Sequence, residues 1–240
     1  MNKTAIIIPS HLSAKRLPNK PMLKINNKTM ISHVWERSVA SNVNDVFVAT
    51  ADEEILNEIK KNGGNAILTG KHHTTGSDRI YEAIEKLQLD HEIIINVQGD
   101  MPMINPKTID LINSFMISNP NVMVSTVASQ ITDPEEVIDK NIVKVVTNEN
   151  LKINKFEKAI NFVREVKNEK FFYHHIGVYA YKSNILKNFV DMKKTKNEID
   201  RSLEQMRFID HNIDIFVGYT DDNPLSVDTA EDLEKIRKLL

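Results

Sequence analysis

The 240 residues carry 31 Lys plus Arg against 33 Asp plus Glu, a formal net charge of −2, so no general field draws the chain to nucleic acid or to an anionic membrane. Hydrophobic residues make up 41% and charged residues 27%, the balance of a folded globular chain rather than a disordered one. Cysteine is absent, which excludes disulfides, thiolate metal sites and a cysteine nucleophile and suits a reducing, cytoplasmic setting; no apolar run reaches membrane-spanning length, and the first is short for a signal peptide.

Residues 5–9 read as a buried strand. The polar loop that follows, residues 10–21, carries Lys15, Arg16 and Lys20 beside Pro18 and Pro21. Proline stiffens the backbone, so Arg16 and Lys20 are presented to an anion at little ordering cost. Taken alone the loop reads more readily as a solvated basic turn, and it lacks the glycines and the Lys-Ser/Thr ending of a P-loop. Residues 29–40 have helical spacing with Thr29 as cap. A strand at 45–50, a charged helix at 53–61, a Gly63-Gly64 stop and a short strand at 65–68 continue a β-α-β order. Residues 71–79 form a polar loop entering a helix that runs to about Leu87, with Thr75 and Asp78 at capping-box spacing. His72 and His73 invite a metal reading, which is set aside because no third protein ligand stands beside them. Arg79, in the first turn, opposes the helix dipole unless something anionic lies nearby.

The apolar run Ile93-Ile-Ile-Asn-Val stops at Gln98-Gly-Asp100, which predicts a strand buried on both faces that delivers one carboxylate to a sheet edge. A helix at 106–118, a strand at 122–128, a short helical segment opened by Asp133-Pro134 and a strand at 142–147 follow. The charged, weakly patterned stretch 151–170 reads as an arm or a lid. In the strand 171–181, alternation puts Ile176, Val178 and Ala180 on one face and His175, Gly177, Tyr179 and Tyr181 on the other. One helix is expected over 197–211, with Glu204, Arg207 and His211 sharing a face and Gln205 beside them. A last strand at 213–219 and a closing helix at 230–240 complete the order, with Asp228 and Glu231 at capping-box spacing. The pattern predicts an α/β fold in a single domain, residues 1–240, built on a mostly parallel twisted sheet flanked by helices.

The motifs Ile8-Pro9, Arg16-Leu-Pro-Asn-Lys-Pro21, Met30-Ile-Ser-His-Val-Trp-Glu-Arg37, Thr75-Gly-Ser-Asp-Arg79, Asn96-Val-Gln-Gly-Asp100, His175-Ile-Gly-Val-Tyr-Ala-Tyr181, Leu203-Glu-Gln-Met-Arg207 and Val227-Asp-Thr229 occur in this order. Together they resemble the CMP-Kdo synthetases, cytidylyltransferases that activate the eight-carbon acid Kdo (3-deoxy-manno-octulosonate) for lipopolysaccharide. The resemblance covers nearly the whole chain. It implies a Rossmann-like nucleotidyltransferase fold, a homodimer, Mg²⁺ dependence and transfer of CMP from CTP to the anomeric hydroxyl of the sugar acid, with release of pyrophosphate. It further implies that Pro9, Ser10, His11, Arg16, Lys20, Ser77 and Arg79 contact the nucleotide, with Arg16 and Lys20 on its phosphates. By the same resemblance Asp100 and Asp228 bind Mg²⁺, and Gln98, His175, Tyr179, Glu204, Gln205 and Lys158 face the sugar acid.

The sequence departs from that pattern in three places. His11 stands where the family usually has a phosphate-contacting Arg, and Met101 replaces the usual Glu after Asp100. Phe156-Glu-Lys158 replaces Phe-Ser-Arg, so Lys158 keeps the charge and loses the bidentate fork, with Arg164 as a substitute. These changes leave open a related acceptor such as an 8-amino Kdo. A glycosyltransferase using a nucleotide-sugar donor and an inactive nucleotide-binding protein are the readings from other classes.

Overall fold

Seven consecutive buried residues, Thr4–Ser10, form β1, whose isoleucines 6, 7 and 8 are wholly shielded, as a β-branched run inside a parallel sheet requires. The computed structural model describes residues 4–14 and 16–240, so Lys15 of the basic loop lies outside the described residues. After β1 come a small hairpin of β2 (Lys24–Ile25) and β3 (Lys28–Thr29), α1 (Met30–Val39), β4 (Asp45–Thr50), α2 (Glu53–Lys61), β5 (Asn65–Leu68), α3 (Gly76–Leu87), β6 (Ile93–Asn96) and α4 (Pro106–Ser118).

Two compact units divide the chain: Met1–Asp110 with Pro224–Leu240, and Leu111–Asn223. In the first, the strand order is β5-β4-β1-β6 and every pairing is parallel. The chain runs outward from β1 through β4 to β5, then returns to the other edge of β1 as β6. Such a reversal opens a crevice beyond the carboxyl ends of the two strands that flank it. Thr29 and Thr75 cap α1 and α3 as expected, accepting from the backbone N–H of Ser32 at 3.3 Å and of Asp78 at 3.2 Å. The closing helix, Ala230–Leu239, corrects the sequence reading by one residue. Its capping box is Thr229 with Asp232 rather than Asp228 with Glu231, which leaves the Asp228 carboxylate free for other partners. That helix packs Leu233 and Ile236, with Val227, against Ile25 and Met30. Arg237 ties it to the Lys24 carbonyl through Nε at 2.9 Å and Nη2 at 2.7 Å.

The second unit contains β7 (Val124–Ser129), α5 (Pro134–Ile138), β8 (Lys144–Thr147), α6 (Leu151–Asn154), β9 (Phe156–Val163), β10 (Phe171–Lys182), α7 (Ser183–Asp191), α8 (Lys196–Arg201), α9 (Met206–Asp210) and β11 (Ile215–Tyr219). Its strand order is β10-β7-β11-β9-β8, and β8 pairs back onto β10. Only β7 and β11 run parallel here. The α/β class is therefore borne out, with the all-parallel pattern confined to the first unit.

Two stretches differ from expectation. Residues 151–170, read as an arm or lid, hold α6 and β9, and β9 is hydrogen-bonded on both sides, to β11 and to β8. Its polar composition hides it because only Phe162 along its length is fully buried. The single helix expected over 197–211 breaks into α8 and α9. Ser202 ends α8 with φ 54°, a left-handed residue, and residues 203–205 turn. The face assigned to Glu204, Arg207 and His211 is partly core: Arg207 is buried and grips Glu198 with Nε at 2.8 Å and Nη2 at 2.5 Å while Nη1 donates to the Phe189 carbonyl at 3.0 Å. Removing one partner of such a pair strands a buried charge. Arg207→Ala is expected to lower unfolding free energy by about 3–5 kcal/mol, measured by urea titration; a change near zero would contradict the structural role given to this pair.

Candidate active site

A cavity of about 320 Å³ opens beyond the carboxyl ends of β1 and β6, where the strand order reverses, a size suited to a small-molecule site. Pro9, Ser10 and His11 reach it from the end of β1, Gln98, Gly99 and Asp100 from the turn after β6, and Asp228 from the segment before the closing helix. Gly99 is needed there. A Cβ at this position would stand 2.9 Å from the Pro9 carbonyl oxygen, so only glycine lets the turn lie against β1.

The basic loop is shaped before it meets a ligand. Asn19 takes a left-handed conformation with φ 57°, and its N–H donates to the Leu12 carbonyl at 3.2 Å. A single 3₁₀ turn, Lys20–Met22, then starts with Pro21 near its head. Lys20, 15% exposed, is thereby turned inward. Its ammonium donates to Asp100 Oδ2 at 2.7 Å and to the Val227 carbonyl at 2.8 Å, with Asp228 Oδ1 at 3.4 Å. The Val227 N–H closes the arrangement by donating to the Asp100 carbonyl at 2.9 Å. Two carboxylates 128 positions apart in the chain thus converge on one point cation. Arg16 lies further out, 64% exposed, with Nη2 3.1 Å from Asp228 Oδ2.

Asp52 is a residue the sequence reading missed. It stands at the cap position of α2 but makes no cap bond there; its Oδ2 accepts from the Leu12 N–H at 2.8 Å and so holds the start of the basic loop. A cap-type Asp two residues past the end of β4 is the available signal. Burial pushes the His11 imidazole below its ordinary pKa, nearby Arg79 adds to this, and Asp52 opposes it. The guanidinium of Arg79 is buried in the cavity wall, donating to Thr69 Oγ1 at 2.5 Å and the Gly70 carbonyl at 3.3 Å. Burial lowers its pKa, with Asp52 and Glu82 acting in the opposite direction. The buried Ser10 hydroxyl has no hydrogen-bond partner among the described residues and faces the cavity as a donor in reserve. Ser77 is buried in the first turn of α3 and is not part of the cavity wall. Gln98 lines the cavity and donates to Asn96 Oδ1 at 3.2 Å. Met101 is buried beneath the turn.

The other residues singled out from the sequence lie in the second unit. Along β10 a bulge at Gly177 and Val178 interrupts the pairing with β7. His175 Nε2 meets Thr126 Oγ1 at 3.0 Å, and the ring stands between Phe162 and Tyr179 with centroids 5.0 and 5.4 Å away. Burial pushes the Tyr179 phenol up, and the neighbouring charges of Tyr181 and Glu204 add to the shift. Glu204 and Gln205 occupy the turn between α8 and α9. Lys158 is half exposed, paired with Asp214 Oδ2 at 2.5 Å and lying 5.8 Å from the centre of the Phe216 ring. Arg164 donates to the carbonyls of Lys140, Arg201 and Ser202.

His175 carries a pH signature. Burial, and secondarily His174, pushes its pKa down to about 3. The unfolded chain takes up this proton below about pH 6.5. The associated stability is therefore complete above that value and is lost progressively as the pH falls from about 6.5 toward 3. In NMR titration the His175 imidazole resonances are expected to stay flat from about pH 8 to 5; a transition near pH 6.5 would contradict this.

A parallel sheet with its cavity at the switch point, basic side chains on a stiff loop and paired carboxylates opposite suit a nucleotide's phosphates and a hard cation, the arrangement expected of the nucleotidyltransferase class. The family model for cytidylyltransferases matches residues 5–215. A 3-deoxy-manno-octulosonate cytidylyltransferase of Thermodesulfovibrio yellowstonii is 38% identical, over 99% of this chain and 98% of its own. One from Paramagnetospirillum magneticum is also 38% identical, over 98% and 96%. Among solved structures, CMP:2-keto-3-deoxy-manno-octonic acid synthetase complexed with CTP is 35% identical with a TM-score of 0.90, covering 99% of this chain and 98% of that one. The chain belongs to the 3-deoxy-manno-octulosonate cytidylyltransferase family. Among the described residues no helix is long and apolar enough to cross a membrane.

Proposed function

We propose that this chain transfers CMP from CTP to the anomeric hydroxyl of Kdo, releasing pyrophosphate, and that the cavity beyond β1 and β6 receives the nucleotide. The observation that carries this reading is the convergence of Lys20, Asp100 and Asp228 at one end of the cavity, with Arg16 beside them. Lys20 and Arg16 hold the triphosphate and offset the charge that builds on departing pyrophosphate. The Ser10 hydroxyl donates to the nucleotide, and the buried Arg79 keeps that wall positive.

The donor set fits a hard divalent cation: Asp100 and Asp228 supply carboxylate oxygen, no nitrogen or sulfur ligand stands with them among the described residues, and both already gather around the Lys20 ammonium. These two residues would hold Mg²⁺, which when bound neutralises phosphate charge and lowers the pKa of an attacking hydroxyl. His175, with its depressed pKa, is neutral at working pH and serves the sugar side as a hydrogen-bonding group. No side chain is assigned as general base.

A second reading keeps the chemistry and changes the acceptor to an amino-substituted Kdo. Its support is that Lys158 is engaged with Asp214 and Arg164 with three backbone carbonyls, so neither repeats the fork of the family's Arg. Initial rates of pyrophosphate release with CTP, Mg²⁺ and a panel of ulosonic acids separate the two. Preference for plain Kdo supports the first reading, preference for the amino sugar supports the second, and no release with any acid contradicts both.

A further inference from the structure

The loop between β5 and α3 brings together three side chains that the phosphate-side chemistry does not use. His72, His73 and Glu82 each offer one ligand atom, and these atoms all lie within 4.8 Å of one another. In the sequence the adjacent histidines lack a third ligand; the fold supplies it from α3, seven residues beyond the Thr75 cap. Consecutive loop side chains commonly diverge, but here the two imidazole centroids are 4.3 Å apart. Gly70 makes that possible. A Cβ at position 70 would fall 2.3 Å from His72 Cε1 and 2.4 Å from its Nδ1, and 3.3 Å from Glu82 Oε2.

The carboxylate is also aimed. The Gly70 N–H donates to Glu82 Oε1 at 3.1 Å and to Oε2 at 2.9 Å, Lys86 pairs with Oε1 at 2.7 Å, and His73 Nε2 meets Oε2. Oriented ligands with their own hydrogen-bond partners are typical of metal centres. Two imidazole nitrogens with one carboxylate oxygen suit zinc and its neighbours, whereas Mg²⁺ favours oxygen throughout.

We propose that His72, His73 and Glu82 form a binding site for a divalent transition-metal ion of the zinc class, built from residues other than the Asp100–Asp228 pair. His73 lines the nucleotide cavity together with Thr74, Thr75 and Gly76, so an ion held here ties that wall to α3. The alternative is a His73–Glu82 ion pair that takes no metal.

The test is calorimetric titration of chelator-stripped full-length protein with Zn²⁺, repeated with Co²⁺ and read by visible absorption. About one equivalent of Zn²⁺ is expected to bind, with millimolar Mg²⁺ failing to displace it. His72→Ala, at an exposed position, and Glu82→Gln are each expected to weaken binding at least about tenfold and to abolish the Co²⁺ ligand-field bands. Circular dichroism confirms that the variants fold, and His72→Ala alone is decisive should Glu82→Gln fail to fold. The double variant Asp100→Asn with Asp228→Asn is expected to bind Zn²⁺ as before. Absence of saturable binding, unchanged affinity in His72→Ala, or loss of binding in the double Asp variant would each overturn the proposal.

Discussion

Lys20→Met is expected to lower turnover by about a hundred- to a thousandfold, the range seen when a single preorganised charge-stabilising donor is removed from an active site. The side chain is mostly shielded and its ammonium is shared among Asp100, Asp228 and the Val227 carbonyl. Methionine fills most of the same volume and removes the charge, so the loss falls on chemistry rather than packing. Without Lys20 the two carboxylates are left, among the described residues, with exposed Arg16 beside Asp228, and under the proposed function the triphosphate loses a cation. Lys20→Arg is expected to recover little, because a planar fork cannot replace a compact ammonium held between three acceptors. Pyrophosphate release with saturating CTP measures the effect, and thermal unfolding separates it from instability. A variant that melts early but keeps its turnover would assign Lys20 a purely structural part.

The second large effect is expected at the carboxylates. Asp100→Asn and Asp228→Asn should each reduce turnover at least about a hundredfold, and each should raise the Mg²⁺ concentration needed for half-maximal rate. Asparagine keeps the shape and the hydrogen-bonding reach of the side chain, so Lys20 stays near its place while the anionic charge is lost. Asp228 is the more exposed of the two at 43%, so its loss also frees Arg16 to move in solvent. Near-normal rates in both variants would remove the metal assignment and leave Lys20 and Arg16 as the principal charge-bearing groups.

What could be read without coordinates follows from where the determining forces are local. The wholly buried run at β1, the caps Thr29 and Thr75 and the whole of α4 are each specified by neighbours within one or two turns, and they fall where periodicity and capping place them. The candidate-site residues Arg16, Lys20, Asp100 and Asp228 stand out as a set in the sequence only through the ordered motifs that carry the resemblance. Their convergence depends on Val227 packing with Leu233 and Ile236 against Ile25 and Met30, a long-range event no spacing announces. Asp228 shows the limit most sharply. Its capping-box spacing with Glu231 competes with Thr229 and Asp232 one residue later, and the packing of the closing helix decides for the second, leaving Asp228 to Lys20. Glu82 was invisible for a related reason: nothing in an exposed-looking helical glutamate says that Gly70 and two histidines fold back to meet it. The break at Ser202 rests on one left-handed serine, a conformation that helical periodicity does not register.

Joining of CMP to a Kdo-type acid is the reaction proposed for this chain. Phosphorus NMR of a reaction containing the protein, CTP, Mg²⁺ and Kdo tests it most directly. The three CTP resonances are expected to decline together as one phosphodiester signal and one pyrophosphate signal rise, the pyrophosphate signal with twice the area because it carries two equivalent phosphorus atoms, and neither is expected when the sugar acid is omitted. CTP that stays intact with every acid tried, or that yields CDP and inorganic phosphate instead, would contradict it.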